Sequence, residues 1–303
     1  MRILLLAATL IVGALSDHAH WQTLRDALLM SATAAPDLEL PTDPSYLGLL
    51  STPKMALYRP EGAGPFPAMV LHHACAGLQS SSGTWQNMAV LEWAKQAVRR
   101  GYVALVLDSL GPRSVDSVCM GAKGGVNFAR GVRDALQAAQ HLRTLPYVDG
   151  KRVVFTGFSW GAMVGLLSSS KSWGEALAAG DRFRAVAAFY PGCFEIRPPR
   201  SRPFQVLNPD IDVPLLVLMG DLDTETPAQE CIARLGPIKA GGGPVEWHVY
   251  ADATHAWDSE NLSGLRKVDF RGAAVEYKFN PEASRDSAER MFGFFARILD
   301  SKP

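Results

Sequence analysis

Gly157-Phe158-Ser159-Trp160-Gly161 forms a G-x-S-x-G pentapeptide. An apolar, β-branched run, Arg152 to Thr156, leads into it, and small and apolar residues, Ala162 to Leu167, lead out. Strand, tight turn and helix is the setting in which a serine becomes a nucleophile. The turn forces the serine into a strained backbone conformation, and the flanking glycines remove side chains that would clash there. The helix that follows aims its first N–H dipoles at developing negative charge. The same pentapeptide can serve only to pack a βα turn, so the rest of the chain must supply a base and an acid that orients it.

Both are present in the order serine, acid, histidine. The apolar run Leu215 to Met219 enters Gly220-Asp221-Leu222-Asp223-Thr224-Glu225-Thr226-Pro227. Three carboxylates compete there. Asp223 is the expected acid because the turn beginning at Gly220 directs it inward; Asp221 ranks second and Glu225 third. The others are expected to be solvated or to cap a helix. A second expected strand, Val245 to Tyr250, feeds the loop that carries His255, the expected base. His248, within that strand, is expected to be structural. An oxyanion would be held by the backbone N–H of Trp160 and by a second N–H from the loop His72 to Leu78. Its small residues leave the backbone accessible, and Cys75 is the nominated donor, with Ala74 as the alternative. His72 and His73 are adjacent on a strand and point to opposite faces, so they are not expected to share a metal.

Further residues have two readings each. Arg113 follows a strand ending at Asp108 and would sit near a pocket mouth, where it could pair with a substrate carboxylate. Its structural reading is an ion pair with Asp116 or Asp108. Trp257 and Trp85 either line an acyl pocket or simply pack. Asp134, on a helix, is expected to be structural.

The elements that must position these residues alternate between β and α. Strands are expected at Met55 to Arg59 and Pro67 to His72, joined by the Gly/Pro turn Glu61 to Pro65, and at Tyr102 to Leu107. The serine strand follows, then Phe183 to Tyr190, Pro214 to Met219 and Val245 to Tyr250. Helices are expected at Trp85 to Arg100, Val126 to Leu145, after the serine, and at Ala283 to Leu299. Such alternation implies an α/β fold with a mostly parallel central sheet and helices on both faces. Chemistry then lies beyond the carboxyl ends of the strands.

A chain of 303 residues suits one large α/β domain, or at most two. Thirty basic residues balance thirty acidic ones, so no net field favours nucleic acid or an anionic membrane. Met1-Arg2, the apolar stretch Ile3 to Leu15 and the small residues Ala14 to Ser16 resemble a signal peptide over residues 1–16, cleaved before Asp17. The stretch is too short to span a bilayer comfortably, and no stable membrane anchor is expected. Export to a periplasm or beyond the cell follows. Residues 17–53 read as an N-terminal extension and linker, with an amphipathic helix over Trp21 to Met30, and residues 54–303 as the main domain. Four cysteines fit an oxidising compartment and allow three pairings. Cys75–Cys119 and Cys193–Cys231 are favoured because each pair lies on loops expected to meet at one end of the sheet.

From about Lys54 onward the chain resembles the dienelactone hydrolase family of α/β-hydrolases. The resemblance rests on His73-Ala74-Cys75-Ala76-Gly77-Leu78, which is similar to the family's H-G-C-G-G-L loop. It rests also on Asp108-Ser109-Leu110-Gly111-Pro112-Arg113, on Arg133-Asp134-Ala135-Leu136 and on the serine turn. Gly220 to Pro227 with Cys231, and Thr254-His255-Ala256-Trp257-Asp258, complete the series. It implies a nucleophile–histidine–aspartate triad of Ser159, His255 and Asp223, no cofactor, and a small-molecule ester or lactone as partner. Family members that open dienelactones use a cysteine nucleophile and a gating glutamate. Here Ser159 stands at the first position and Ala74 or a neighbour at the second. A serine depends on general-base help more than a thiolate does. An exported binding protein on a hydrolase scaffold, or an acyltransferase with the same triad, are the alternatives to ester hydrolysis.

Overall fold

The computed structural model describes residues 21–83, 85–198, 202–269 and 271–301. The expected signal peptide lies outside them. The described part of the first helix, α1, covers residues 21–32. β1 (Ala56–Tyr58), β2 (Phe66–His72), α2 (Met88–Arg99), β3 (Val103–Leu107) and α3 (Phe128–Thr144) follow. Next come β4 (Val148–Phe158), α4 (Trp160–Ser169), α5 (Lys171–Leu177), β5 (Val186–Phe189), and the short β6 (Glu195–Ile196) and β7 (Phe204–Gln205). The chain closes with β8 (Leu215–Gly220), α6 (Ala228–Ala240), β9 (Val245–Tyr250), β10 (Arg266–Val268), β11 (Ala274–Glu276) and α7 (Pro281–Asp300).

Seven strands form one sheet in the order β1-β3-β2-β4-β5-β8-β9. All neighbours are parallel except the edge pair β1–β3. β1 and β2 are therefore not a hairpin: β3 lies between them. The inner strands are buried on both faces, unlike the half-exposed edge strand β9, and the alternation of side chains divides the core. Ala68 and Val70 of β2 join Val103 and Leu105 of β3 under α3 and α4. Met69 and Leu71 join Ala104 and Val106 under α2 and α7. This two-sided burial is why the strands read as continuous apolar runs rather than as alternating ones. Asn127 caps α3 by accepting from the Arg130 N–H, and Asn280 caps α7 by accepting from Ala283, with Pro281 in its first turn.

Part of the described segment ahead of the sheet, residues 28–41, packs against the domain. Leu28, Ala32 and Ala35 are buried. Carbonyls of Ala32 and Ala35 accept from Arg130, that of Pro36 from Arg113, and that of Pro41 from His141. Cys75–Cys119 and Cys193–Cys231 are both bonded. Among the described residues, no helix is long and apolar enough to cross a membrane.

Candidate active site

The β4–α4 turn places Ser159 at φ 53° and ψ −112°. A Cβ on Gly157 would lie 2.2 Å from the Gly161 carbonyl oxygen, and one on Gly161 would lie 2.5 Å from that of His72. Both positions thus require glycine for a turn this tight. The turn sits at the carboxyl end of β4, near the centre of the sheet, and α4 carries on directly from it.

β8 ends at Gly220, and the turn beyond it buries Asp223 while leaving Asp221 exposed. Asp223 Oδ1 accepts from the N–H groups of Glu225 (2.9 Å) and Thr226 (2.8 Å). Its Oδ2 lies 2.7 Å from His255 Nδ1, and His255 Nε2 lies 3.0 Å from Ser159 Oγ. The structure thus brings Ser159, His255 and Asp223 into one hydrogen-bonded line. With Asp223 accepting at Nδ1, His255 carries its proton there, and Nε2 is the free base facing the serine. Burial would lower the His255 pKa, but the Asp223 and Glu225 carboxylates outweigh it and raise it above the ordinary value.

Other residues surround the line: Thr226, Tyr190 and Asp258 had no role assigned to them there from sequence, and Glu225, ranked third as the acid and otherwise expected to be solvated or a helix cap, is instead buried beside the histidine. Thr226 Oγ1 lies 2.8 Å from Asp223 Oδ2 and 3.1 Å from both the Tyr190 carbonyl and His255 Nδ1; its single hydrogen goes to the carboxylate or to the carbonyl, since Nδ1 itself bears a proton. Glu225 is buried, with Oε2 4.0 Å from His255 Nε2. It accepts from Tyr277 Oη (2.6 Å) and Lys267 Nζ (2.9 Å). These bonds and the His255 charge hold it below the usual carboxylate range although burial pushes it up. Tyr190, at φ 43°, turns its ring edge-on to His255 at 4.7 Å. Its hydroxyl donates to Asp258 (2.8 Å), which also accepts from Trp93 Nε1 (2.6 Å). Burial raises the Asp258 pKa against the pull of both donors. The only advance signal for these contacts was the run of polar residues on both loops.

Ser159 and His255 open onto a cavity of about 240 Å³. Ala74, Cys75, Trp85, Phe158, Leu262 and Tyr277 contribute to its wall. β10 and β11 pair as a hairpin between the histidine loop and α7, and Lys267 on this hairpin also faces the cavity. A larger depression of about 780 Å³ between Leu207 and Pro244 is lined by no serine, cysteine or histidine.

Two expected substrate contacts are corrected. Arg113 does not line the cavity. Its guanidinium is buried and forked onto Asp134 (2.7 and 2.8 Å), with a third bond to the Ser109 carbonyl. It is an ion-pair residue, and its partner is neither Asp116 nor Asp108. The 3₁₀ turn Gly111–Arg113 folds it back toward α3, away from the strand ends. Trp257 is fully buried behind the site, edge-on to Tyr190 at 4.9 Å and tilted on Tyr250 at 5.4 Å. His248 packs against Tyr250 on β9. Trp160 lays its indole on His73 and Phe128.

Comparison with known proteins agrees with this architecture. The description "Dienelactone hydrolase family" matches residues 54–299. A Salmonella typhimurium protein provisionally named a carboxymethylenebutenolidase is 25% identical over 157 residues, 51% of this chain and 49% of that protein. The match thus spans about half the length of the curated relative. A Klebsiella pneumoniae structure provisionally described as a dienelactone hydrolase superposes with a TM-score of 0.59 at 18% identity, covering 80% of this chain and 93% of that one. A Thermogutta terrifontis esterase with propionate bound superposes at 0.58 with 16% identity, covering 82% and 90%. The sheet order, the βα turn at Ser159 and the family match over residues 54–299 together establish that the chain belongs to the dienelactone hydrolase family and has the α/β-hydrolase fold.

Proposed function

We propose that this protein hydrolyses small carboxylic esters or lactones through an acyl-enzyme on Ser159. The observation that carries the reading is the line from Asp223 Oδ2 through His255 to Ser159 Oγ, with steps of 2.7 and 3.0 Å, at the wall of a cavity.

His255 Nε2 takes the Ser159 proton as Oγ attacks the carbonyl carbon. Asp223 steadies the imidazolium that forms and keeps its ring oriented. The carbonyl oxygen becomes an oxyanion, received by the backbone N–H groups of Trp160 and Cys75. Trp160 opens α4, so its N–H has no acceptor within that helix. Nε2–H then protonates the departing alkoxide, and the alcohol leaves. Water enters, gives a proton to Nε2 and attacks the acyl carbon; collapse returns the proton to Ser159 and frees the acid. For a lactone the leaving alkoxide stays tethered and a hydroxy acid is released. The cavity is smaller than pockets that take drug-sized ligands, which favours short acyl or compact ring substrates. Two disulfides support an exported protein.

Short-chain p-nitrophenyl esters offered to the protein test this directly. Turnover is expected, together with covalent labelling of Ser159 by a fluorophosphonate, both lost in Ser159→Ala. An unlabelled, inactive native protein would overturn the enzyme reading and leave a binding scaffold. An added alcohol that diverts the acyl group from water would reassign the protein as an acyltransferase.

A further inference from the structure

We propose that His73 is the positioning residue of the oxyanion loop: its neutral imidazole grips the Ala74 carbonyl and thereby turns the Cys75 N–H into the cavity. The inference rests on the ester-hydrolysis reading above and adds to it a residue that touches neither substrate nor triad.

The hydrogen bonds fix the tautomer. The Ser109 N–H donates to His73 Nε2 at 3.0 Å, so that nitrogen bears a lone pair. The ring proton is then on Nδ1, which lies 2.7 Å from the Ala74 carbonyl oxygen and donates to it. That carbonyl and the Cys75 N–H belong to one planar trans peptide, in which C=O and N–H point in opposite directions. Holding the oxygen at His73 therefore aims the Cys75 N–H the other way. Cys75 lines the cavity beside Ser159, and among the described residues its N–H donates to no protein acceptor.

Other bonds prevent the peptide from rotating back. The Ala74 carbonyl accepts a second bond, from the Gly77 N–H at 3.0 Å. The Cys75 carbonyl accepts from Val118 at 2.9 Å, and its sulfur is bonded to Cys119. His73 also reaches the other candidate donor residue. Its ring stacks on the Trp160 indole at 5.9 Å and 13° and on His72 at 4.8 Å and 24°. One imidazole thus touches both halves of the oxyanion hole.

The neutral state follows from the surroundings. Burial pushes the His73 pKa down, against the pull of Asp108 and Asp134. Asp108 Oδ1, 3.6 Å from Nε2, already accepts from the Leu110 and Gly111 N–H groups. A protonated ring would have to surrender the Ser109 bond.

The test has two parts. Imidazole nitrogen NMR of the native protein is expected to show His73 protonated on Nδ1 only; an Nε2–H tautomer or a cationic ring would overturn the proposal without reference to activity. His73→Phe keeps an aromatic stack but removes the donor, and is expected to lower kcat roughly 10²-fold with KM changed less than about twofold. His73→Asn, which restores a donor near the Nδ1 position, is expected to recover at least about tenfold of that loss. A folded His73→Phe protein with native kcat, or a His73→Asn protein as slow as His73→Phe, would overturn it. Should His73→Phe not fold, the kcat of His73→Asn against native decides, a drop of more than about tenfold counting against the role. Absence of ester turnover in the native protein would instead defeat the reading beneath.

Discussion

Two buried clusters of paired opposite charges stand out among the described residues, and the proposed chemistry uses one of them. In the first, Asp134 of α3 is shared by Arg113 and Arg130, all three side chains being almost wholly buried. In the second, Asp223 holds His255, with Glu225 and Lys267 close by. The arginines cannot give up their charge, and their remaining N–H groups are taken by carbonyls of Ala32, Ala35, Pro36 and Ser109, by the Asp37 carboxylate and by the Gln137 amide oxygen. That cluster is saturated and fastens α3 to the segment preceding the sheet. The second holds an imidazole, which unlike a guanidinium can give up its proton, with Nε2 turned to Ser159 at a cavity wall. Burial of charge does not by itself mark function. What sets the second cluster apart is a titratable ring bonded to a serine hydroxyl at a cavity wall.

The largest effect that would break this contrast is at Asp223. Asp223→Asn leaves the ring wrongly protonated and is expected to reduce kcat by about 10⁴, with the melting temperature nearly unchanged. Asp134→Asn should do the reverse. Leaving two buried guanidinium groups short of a carboxylate is expected to destabilise by about 3–5 kcal/mol in chemical denaturation, while the folded fraction keeps its turnover. A collapse of kcat with stability intact would show that the arginine cluster belongs to the site after all.

Glu225 sharpens the comparison from inside the second cluster. Activity requires neutral His255, so kcat/KM should fall as pH drops through an apparent value above 6.5, the ordinary one. Glu225→Gln removes one of the two carboxylates that raise it, and the acid limb should move to lower pH by less than about one unit. A shift to higher pH would contradict the assignment. The smallest effect is at the solvent edge of the first cluster. Burial would raise the Asp37 pKa, but bonds from Arg133, Gln137 and Arg130 bring it down from 3.8 to about 2. A depressed carboxylate stabilises the fold above its unfolded value and loses that contribution as pH falls from 3.8 toward about 2. Because Asp37 is half exposed, Asp37→Asn should cost no more than about 1 kcal/mol at neutral pH and nothing below pH 2.

Much of the scaffold was legible along the chain. Two-sided burial writes central parallel strands as unbroken apolar runs, so β3 and β8 were visible where they fall; the half-exposed edge strand β9 was visible from its β-branched and aromatic residues. The residues meeting at Ser159 were visible for a related reason, since each sits just past the carboxyl end of a strand. Both expected disulfide pairings form, although Cys231 lies in the first turns of α6 rather than on a loop. What escaped was set by contacts distant in sequence or by pieces too short to have a period. Arg113 sits 21 residues from Asp134, its partner across a 3₁₀ turn. Trp257 is two residues from His255 yet faces the core, because Ala256 adopts φ 53° and reverses the chain between them. The three-residue strands β10 and β11, which bring Lys267 to Glu225, carry no pattern that a sequence reading can separate from a loop.

The way residues 31–41 run along α3 bears on how the protein should be produced. The family match begins at residue 54, and trimming the gene there would look natural. Such a shortened product would strip the carbonyl acceptors from two interior guanidinium groups and uncover the apolar surface beneath Ala32 and Ala35. Expression from residue 54 should therefore yield inclusion bodies, whereas a start near residue 21 should yield soluble protein; the minimal folding unit is longer than the family boundary.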